Sequence, residues 1–104
     1  MKNIQGLNKE QILKIFQQHK DKLKNHYVRK IGLFGSTLRG NNTEDSDVDL
    51  IVEFEEGKKD YNNFIELCFF LEDLLQKKVE LLTIDALSPY MKSKILKEAH
   101  FESI

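Results

Sequence analysis

Residues 35–50 read Gly-Ser-Thr-Leu-Arg-Gly-Asn-Asn-Thr-Glu-Asp-Ser-Asp-Val-Asp-Leu and lie between two segments with strand character. Residues 28–34 contain β-branched and aromatic side chains, which predicts a strand that ends at Gly35. Residues 47–54 alternate between polar and apolar side chains, which predicts a second strand with one buried face. Because residues 35–46 are too few for the usual crossover between parallel strands, we expect these two strands to pair antiparallel.

The remaining segments predict three helical regions and one further strand. Apolar residues recur at helical spacing over residues 8 to about 24 and over 61–75, and another helix should start at Ser88. We expect that last helix to bury three apolar residues, Met91, Ile95 and Leu96. Residues 78–83 predict a third strand, parallel to the second. The order indicates an α/β (α+β) fold in one domain, residues 1–104, with a small mixed sheet of about three to four strands flanked by helices.

The charges of the chain are nearly balanced, with 16 Lys and Arg against 17 Asp and Glu and a formal net charge of −1. The composition is therefore not strongly basic, and we expect no direct binding of nucleic acid, although net charge alone does not exclude a local basic patch. The single cysteine, Cys68, excludes an internal disulfide and a cysteine-based zinc site. No apolar run approaches the roughly 20 residues that span a bilayer, so we expect a cytoplasmic protein without membrane contact.

Asp47 and Asp49 are the first candidates for chemistry. Residues two apart on a strand point the same way, with Cα atoms about 7 Å apart, so the two charges repel unless a cation neutralises them. Mg²⁺ takes oxygen ligands and is commonly bound by carboxylates together with substrate phosphates. Charged residues also protect the exposed edges of sheets, and the aspartate pair alone does not distinguish these two roles.

Gly35, Ser36 and Arg39 supply groups that suit a phosphate. Glycine at the end of a strand lets the backbone approach a ligand closely. The Ser36 hydroxyl can donate a hydrogen bond, and the Arg39 guanidinium matches phosphate oxygens. Each of the three alone is typical of an ordinary turn or a solvated loop. Their position before the aspartate pair, between adjacent strands, favours a phosphate site beside a metal site.

The spacing of these residues resembles that of the DNA polymerase β-like nucleotidyltransferase superfamily, in which a Gly-Ser pair precedes an Asp-x-Asp pair by ten residues. Within that superfamily, Gly-Ser-x-x-Arg-Gly at residues 35–40 and Ser-Asp-x-Asp-Leu at residues 46–50 resemble the minimal nucleotidyltransferases. These are the MntA-like antitoxins of HEPN/MNT toxin–antitoxin systems. The resemblance extends to the order of elements over most of the chain.

The resemblance implies transfer of AMP from ATP to a hydroxyl group, with release of pyrophosphate. It implies that Gly35 and Ser36, with Arg39, hold the triphosphate, and that Asp47 and Asp49 bind Mg²⁺, with two ions expected. The family has a third carboxylate on a neighbouring strand, commonly Asp. The matching residue is Glu80, which is one methylene longer and would serve as a metal ligand and general base. The alternative interpretation is that Glu80 is an exposed strand residue with no part in the chemistry.

The resemblance also implies a partner. We expect the acceptor to lie on a second protein, because little of the chain follows the third strand. In the family that acceptor is a tyrosine of a HEPN toxin, and its AMPylation silences the toxin. Two alternatives stay open. The chain could neutralise its toxin by masking alone, with chemistry weakened by Glu80, or it could modify a small molecule.

Overall fold

The structure is a computed structural model that describes residues 8–35, 37 and 47–104. The helices are α1 (Lys9–Gln18), α2 (Lys20–Asn25), α3 (Tyr61–Leu75) and α4 (Pro89–Glu98), with a 3-10 turn at Ile84–Ala86. The strands are β1 (Val28–Leu33), β2 (Val48–Phe54), β3 (Val79–Thr83) and β4 (His100–Ser103). No helix within the described ranges is both long and apolar enough to cross a membrane.

The first helical region starts where the sequence predicts but is divided in two. Asn8 begins α1 with a capping box: its Oδ1 accepts from the Gln11 N–H at 2.8 Å, and Gln11 Oε1 accepts from the Asn8 N–H at 2.9 Å. The helix breaks at His19, whose backbone leaves the helical region at φ −120° and ψ 28°. The His19 ring nitrogen Nδ1 donates to the Ile15 carbonyl at 2.9 Å, so the side chain satisfies a carbonyl at the helix end.

The four strands form one mixed sheet in the order β3-β2-β1-β4. β1 pairs antiparallel with β2, and β2 pairs parallel with β3, as the lengths of the connections predict. The predicted fold class is therefore confirmed. β4 was not predicted, because its four residues carry no clear alternation. It completes the edge of the sheet by pairing antiparallel with β1, and Phe101 lies opposite Gly32.

The main core lies between one face of the sheet and helices α1, α2 and α3. β2 contributes every second residue, all nearly inaccessible: Val48, Leu50, Val52 and Phe54. The helices contribute residues that include Ile12, Phe16, Leu23, Leu67 and Leu71. Because a shift of one residue would expose this whole apolar set, the core holds the register of β2.

The opposite face of the sheet carries a smaller cluster of Ile51, Ile84 and Ile95. The expectation that α4 also buries Met91 and Leu96 was wrong, since their side chains are 47% and 38% exposed. Of the three residues predicted, only Ile95 belongs to the apolar cluster around Ile51. The candidate site lies on this second face of the sheet, with Asp49 two residues before Ile51 on β2.

Candidate active site

The direction of Asp47 and Asp49 is set by the backbone of β2. Val48, between them, is buried in the main core, and its N–H donates to the Lys78 carbonyl at 2.9 Å. Alternation along the strand therefore directs both aspartates to the face opposite the main core. Asp47 is exposed just before β2 begins, and Asp49 is half-buried within it.

Gly35 lies directly against the carboxylate of Asp49. A Cβ atom added to Gly35 would lie 2.5 Å from Asp49 Oδ2 and 3.2 Å from Asp49 Cγ, so a side chain at this position would displace the Asp49 carboxylate. The backbone at Gly35 also has φ +65°, a region that glycine adopts at little cost. Both observations explain why the chain has glycine where it leaves β1.

Two hydrogen bonds join the backbone of Asp49 to the end of β1. The Phe34 N–H donates to the Asp49 carbonyl at 3.2 Å. The Asp49 N–H donates to the hydroxyl Oγ1 of Thr37 at 3.1 Å, and Thr37 is fully buried. The turn after β1 is therefore bound to the strand that carries the aspartates.

Glu80 stands beside Asp49 on the neighbouring strand. The two residues are register partners in the parallel pair of β2 and β3, where adjacent strands are about 4.8 Å apart. Glu80 is exposed, and its neighbours Val79 and Leu81 are buried in the main core. The side chain of Glu80 therefore points to the same face of the sheet as Asp49.

Ser36 and Arg39, the other residues predicted to bind phosphate, lie outside the described residues. The groups that the structure does bring together suit Mg²⁺, because their donors are carboxylate oxygens. The bare Cα of Gly35 lets the turn contact the Asp49 carboxylate, so a phosphate at the turn and a cation on the carboxylate would be adjacent. In the described ranges, no three His, Cys, Asp or Glu side chains are arranged to hold an ion. Mg²⁺ here would thus take further oxygens from substrate or water, as it commonly does.

Comparison with known proteins identifies the family of this chain. Residues 9–101 match the family model of the nucleotidyltransferase domain, and this range includes Gly35, Asp47, Asp49 and Glu80. The chain belongs to the nucleotidyltransferase domain family. The family expected from the spacing of the two motifs is therefore confirmed.

Relatives among the curated proteins are similar over most of their length. A protein named protein adenylyltransferase MntA, from Thermococcus cleftensis, is 42% identical over 88% of this chain and 93% of its own. A Methanocaldococcus jannaschii protein with a provisional assignment as a protein adenylyltransferase is 42% identical over 82% of this chain and 88% of its own.

Solved structures share the fold. A structure provisionally described as a minimal nucleotidyltransferase has a TM-score of 0.77 and 31% identity, and the match covers 90% of this chain and 95% of that one. A chain of a toxin–antitoxin crystal structure with AMP-PNP has a TM-score of 0.64 at 23% identity, and the match covers 91% of this chain and 72% of that one. A chain from a complex of a tri-AMPylated Shewanella oneidensis HEPN toxin with its MNT antitoxin has a TM-score of 0.55 at 21% identity. The match covers 82% of this chain and 69% of that one.

Sequence reasoning missed one residue of the site, Thr37. The residue follows the Gly-Ser pair and is not among the candidates that the sequence indicates. The one local signal is that Thr37 is a β-branched residue in a segment of small polar ones. Its hydrogen bond joins residues twelve positions apart, and no pattern within the segment shows that contact.

Proposed function

We propose that this chain transfers AMP from ATP to a tyrosine hydroxyl of a HEPN-domain toxin and thereby acts as its antitoxin. The observation that carries the proposal is the contact between the turn at Gly35 and the carboxylate of Asp49. This contact supports a phosphate at the turn beside a cation on the aspartate, in a chain similar to a protein adenylyltransferase. The chain's own acidic pair, Asp47 and Asp49, supports nucleotide chemistry over a purely structural role.

The donor side of the reaction would be held by the turn and the aspartates. Backbone at Gly35, with Ser36 and Arg39, would bind the triphosphate of ATP. Asp47 and Asp49 would bind two Mg²⁺ ions together with phosphate oxygens. When bound, these ions neutralise charge on the phosphates and activate the α-phosphorus for in-line displacement. The aspartates then serve to hold the triphosphate in one orientation relative to the turn.

The acceptor side would use Glu80. The acceptor oxygen attacks the α-phosphorus, the bond from that phosphorus to the bridging oxygen breaks, and pyrophosphate leaves. The proton of the acceptor hydroxyl passes to the Glu80 carboxylate as the new bond forms. Glu80 supports this role because it is exposed and is the register partner of Asp49. Its extra methylene relative to Asp requires a rotamer that withdraws the carboxylate from Asp49.

The proposal of a toxin as acceptor draws on the structural neighbours. Chains with this fold occur in toxin–antitoxin complexes, and one of those complexes contains an AMPylated HEPN toxin. A tyrosine presented by a second protein would reach Asp49 and Glu80 from the solvent side, because the site lies on the less covered face of the sheet. The formal net charge of −1 gives no indication of a nucleic-acid acceptor.

The direct test uses ATP labelled on the α-phosphate, Mg²⁺, and extract of the source cells. The wild type is compared with the Asp47→Asn/Asp49→Asn double variant. We expect one labelled protein band that the double variant loses, and mass spectrometry should place the AMP on a tyrosine. Label on a small molecule alone would replace the proposal with a metabolite nucleotidyltransferase. No label on any acceptor would refute AMP transfer.

Neutralisation by masking is the second candidate, and one observation favours it. The third carboxylate is Glu80, which is one methylene longer than the Asp that is common in the family. If masking suffices, cells that express the toxin should be protected equally by the wild type and by the double variant. If AMP transfer is needed, the double variant should fail to protect them although it still binds the toxin.

A further inference from the structure

Thr37 stands out because it is one of two polar residues, with Thr83, that are buried in the described parts of the chain. A buried hydroxyl lowers stability unless it is hydrogen-bonded, so a threonine in such a place needs a partner. The partner of Thr37 is the N–H of Asp49, at 3.1 Å. The residue thus contacts the backbone of the aspartate to which we assign cation binding, while its own side chain is hidden from solvent.

The hydroxyl takes a position that a backbone carbonyl would fill in a continuing strand. The last pair in the β1–β2 ladder is Leu33 with Leu50, and Phe34 adds one bond to the Asp49 carbonyl. The N–H and C=O of one strand residue point to the same side, so the Asp49 N–H also faces the segment after β1. That segment turns away at Gly35, and Thr37 provides the acceptor there.

Asp49 is therefore contacted at three points, by residues 34, 35 and 37. Phe34 donates to its carbonyl, the Cα of Gly35 lies against its carboxylate, and Thr37 accepts from its N–H. These contacts leave little freedom for the aspartate to shift or rotate relative to the turn. A catalytic site benefits from such support, because reacting groups must keep their geometry within a fraction of an ångström.

We infer that Thr37 is a positioning residue, which holds the Asp49 carboxylate at a set distance from the phosphate-binding turn through the Asp49 peptide. This inference rests on the proposed function, since it assumes that Asp49 and the turn hold the same nucleotide. Because the side chain of Thr37 is buried, we expect it to touch neither substrate nor cation. Its effect should fall on the rate of transfer and on Mg²⁺-dependent binding more than on global stability.

Two substitutions separate the hydroxyl from the shape of the side chain. Thr37→Val keeps the β-branched shape and removes the acceptor, while Thr37→Ser keeps the hydroxyl and removes a methyl group. Thr83→Val is the matched control, because Thr83 is also buried but pairs with Val52, away from the aspartates. For each variant, we would measure kcat and KM for AMP transfer, the affinity for a non-transferable ATP analogue with and without Mg²⁺, and Tm.

We expect Thr37→Val to lower kcat about tenfold and to weaken the Mg²⁺-dependent part of analogue binding by a similar factor, as loss of an outer contact to a metal ligand commonly does. Thr37→Ser should stay within about threefold of wild type, and Thr83→Val should transfer AMP normally. Amide hydrogen exchange should show faster exchange at Asp49 in Thr37→Val and not in Thr37→Ser. This pattern would establish the positioning role.

Other outcomes overturn the inference. Normal transfer and binding by Thr37→Val, with only Tm lowered, would make the residue a purely structural one. A loss in Thr37→Ser that Thr37→Val does not share would assign the effect to packing of the methyl group. If the wild type transfers no AMP, the proposed function is refuted, but the inference about Thr37 is still tested. The analogue affinities then decide the role of Thr37 by the same comparison of Val and Ser.

Discussion

The Cα of Gly35 lies so close to the side chain of Asp49 that a methyl group on it would come within 2.5 Å of the carboxylate oxygen Oδ2. The glycine ends one strand and the aspartate belongs to the next, so this contact sets the distance between the turn and the acidic pair. The same glycine has φ +65°, so any other residue would be strained in this backbone conformation and would also displace the Asp49 carboxylate.

Gly35→Ala should reduce both stability and activity. The left-handed backbone costs a non-glycine residue about 1–2 kcal/mol, and the displaced Asp49 carboxylate should lower AMP transfer by at least about tenfold. Urea denaturation and the labelled-ATP assay measure the two effects. Gly57→Ala is the matched control, since Gly57 has φ +78° and nothing within 4 Å of an added Cβ. It should lose stability alone, and identical behaviour of the two variants would contradict the proposed contact.

Asp47→Asn and Asp49→Asn should each leave the fold intact and reduce AMP transfer by about 100-fold or more, because each removes a charge that holds the cation. Circular dichroism checks the fold, and calorimetry with Mg²⁺ and a non-transferable ATP analogue checks binding. The loss should be larger for Asp49, which contacts Gly35 directly. Full transfer by either variant would show that the cation binds elsewhere.

Glu80→Gln should lower kcat by about 100-fold with little change in the KM for ATP, because general bases contribute roughly that factor. Glu80→Asp should transfer at or above the wild-type rate, since the family commonly has Asp at this position. Glu53→Gln is the control, as Glu53 lies further along β2 and pairs with Lys30 on β1. If Glu80→Gln is as active as Glu53→Gln, the acceptor proton leaves by another route.

Cys68 should make stability depend on pH in the alkaline range. Burial raises the pKa of the Cys68 thiol above its ordinary value of 9.0, and the charge on Glu72 raises that pKa further. The unfolded chain therefore loses this proton at a lower pH than the folded chain, so the free energy of unfolding should fall as pH rises through 9.0. Since Lys and Tyr also titrate there, the measured quantity is the difference between wild type and Cys68→Ala. A constant difference from pH 7 to pH 10 would contradict the expectation.

Several features of this protein follow from local sequence. The alternation over residues 47–54 predicted the main-core face of β2, because side chains on a strand point alternately to opposite faces, although Ile51 on the other face is buried as well. Ser88 followed by Pro89 predicted the start of α4, and the Ser88 hydroxyl accepts from the Met91 N–H at 3.3 Å. The Gly-Ser and Asp-x-Asp motifs predicted the family, since their chemistry depends on residue type and spacing.

Other features depend on which segments meet in three dimensions. Two apolar residues of α4, Met91 and Leu96, are exposed because the helix contacts the sheet mainly through Ile95. β4 exists because β1 would otherwise leave an unpaired edge, and its own residues carry little strand signal. The periodicity of a single segment predicts neither the exposed residues of α4 nor the pairing of β4. Periodicity shows which face of a segment is apolar, but it does not show how much of that face a neighbouring element covers.

In the candidate site, too, some features follow from local sequence and others depend on tertiary contacts. Residue types and spacing were sufficient to name Gly35, Asp47 and Asp49 as candidates. The contact of Gly35 with the Asp49 carboxylate, and the bond from the Asp49 N–H to Thr37, required the register of β1 against β2. That register is set by burial of a whole strand face in the main core, because a slip of one residue would expose it. Local chemistry thus supplies the reactive groups, and long-range packing sets the distances between them.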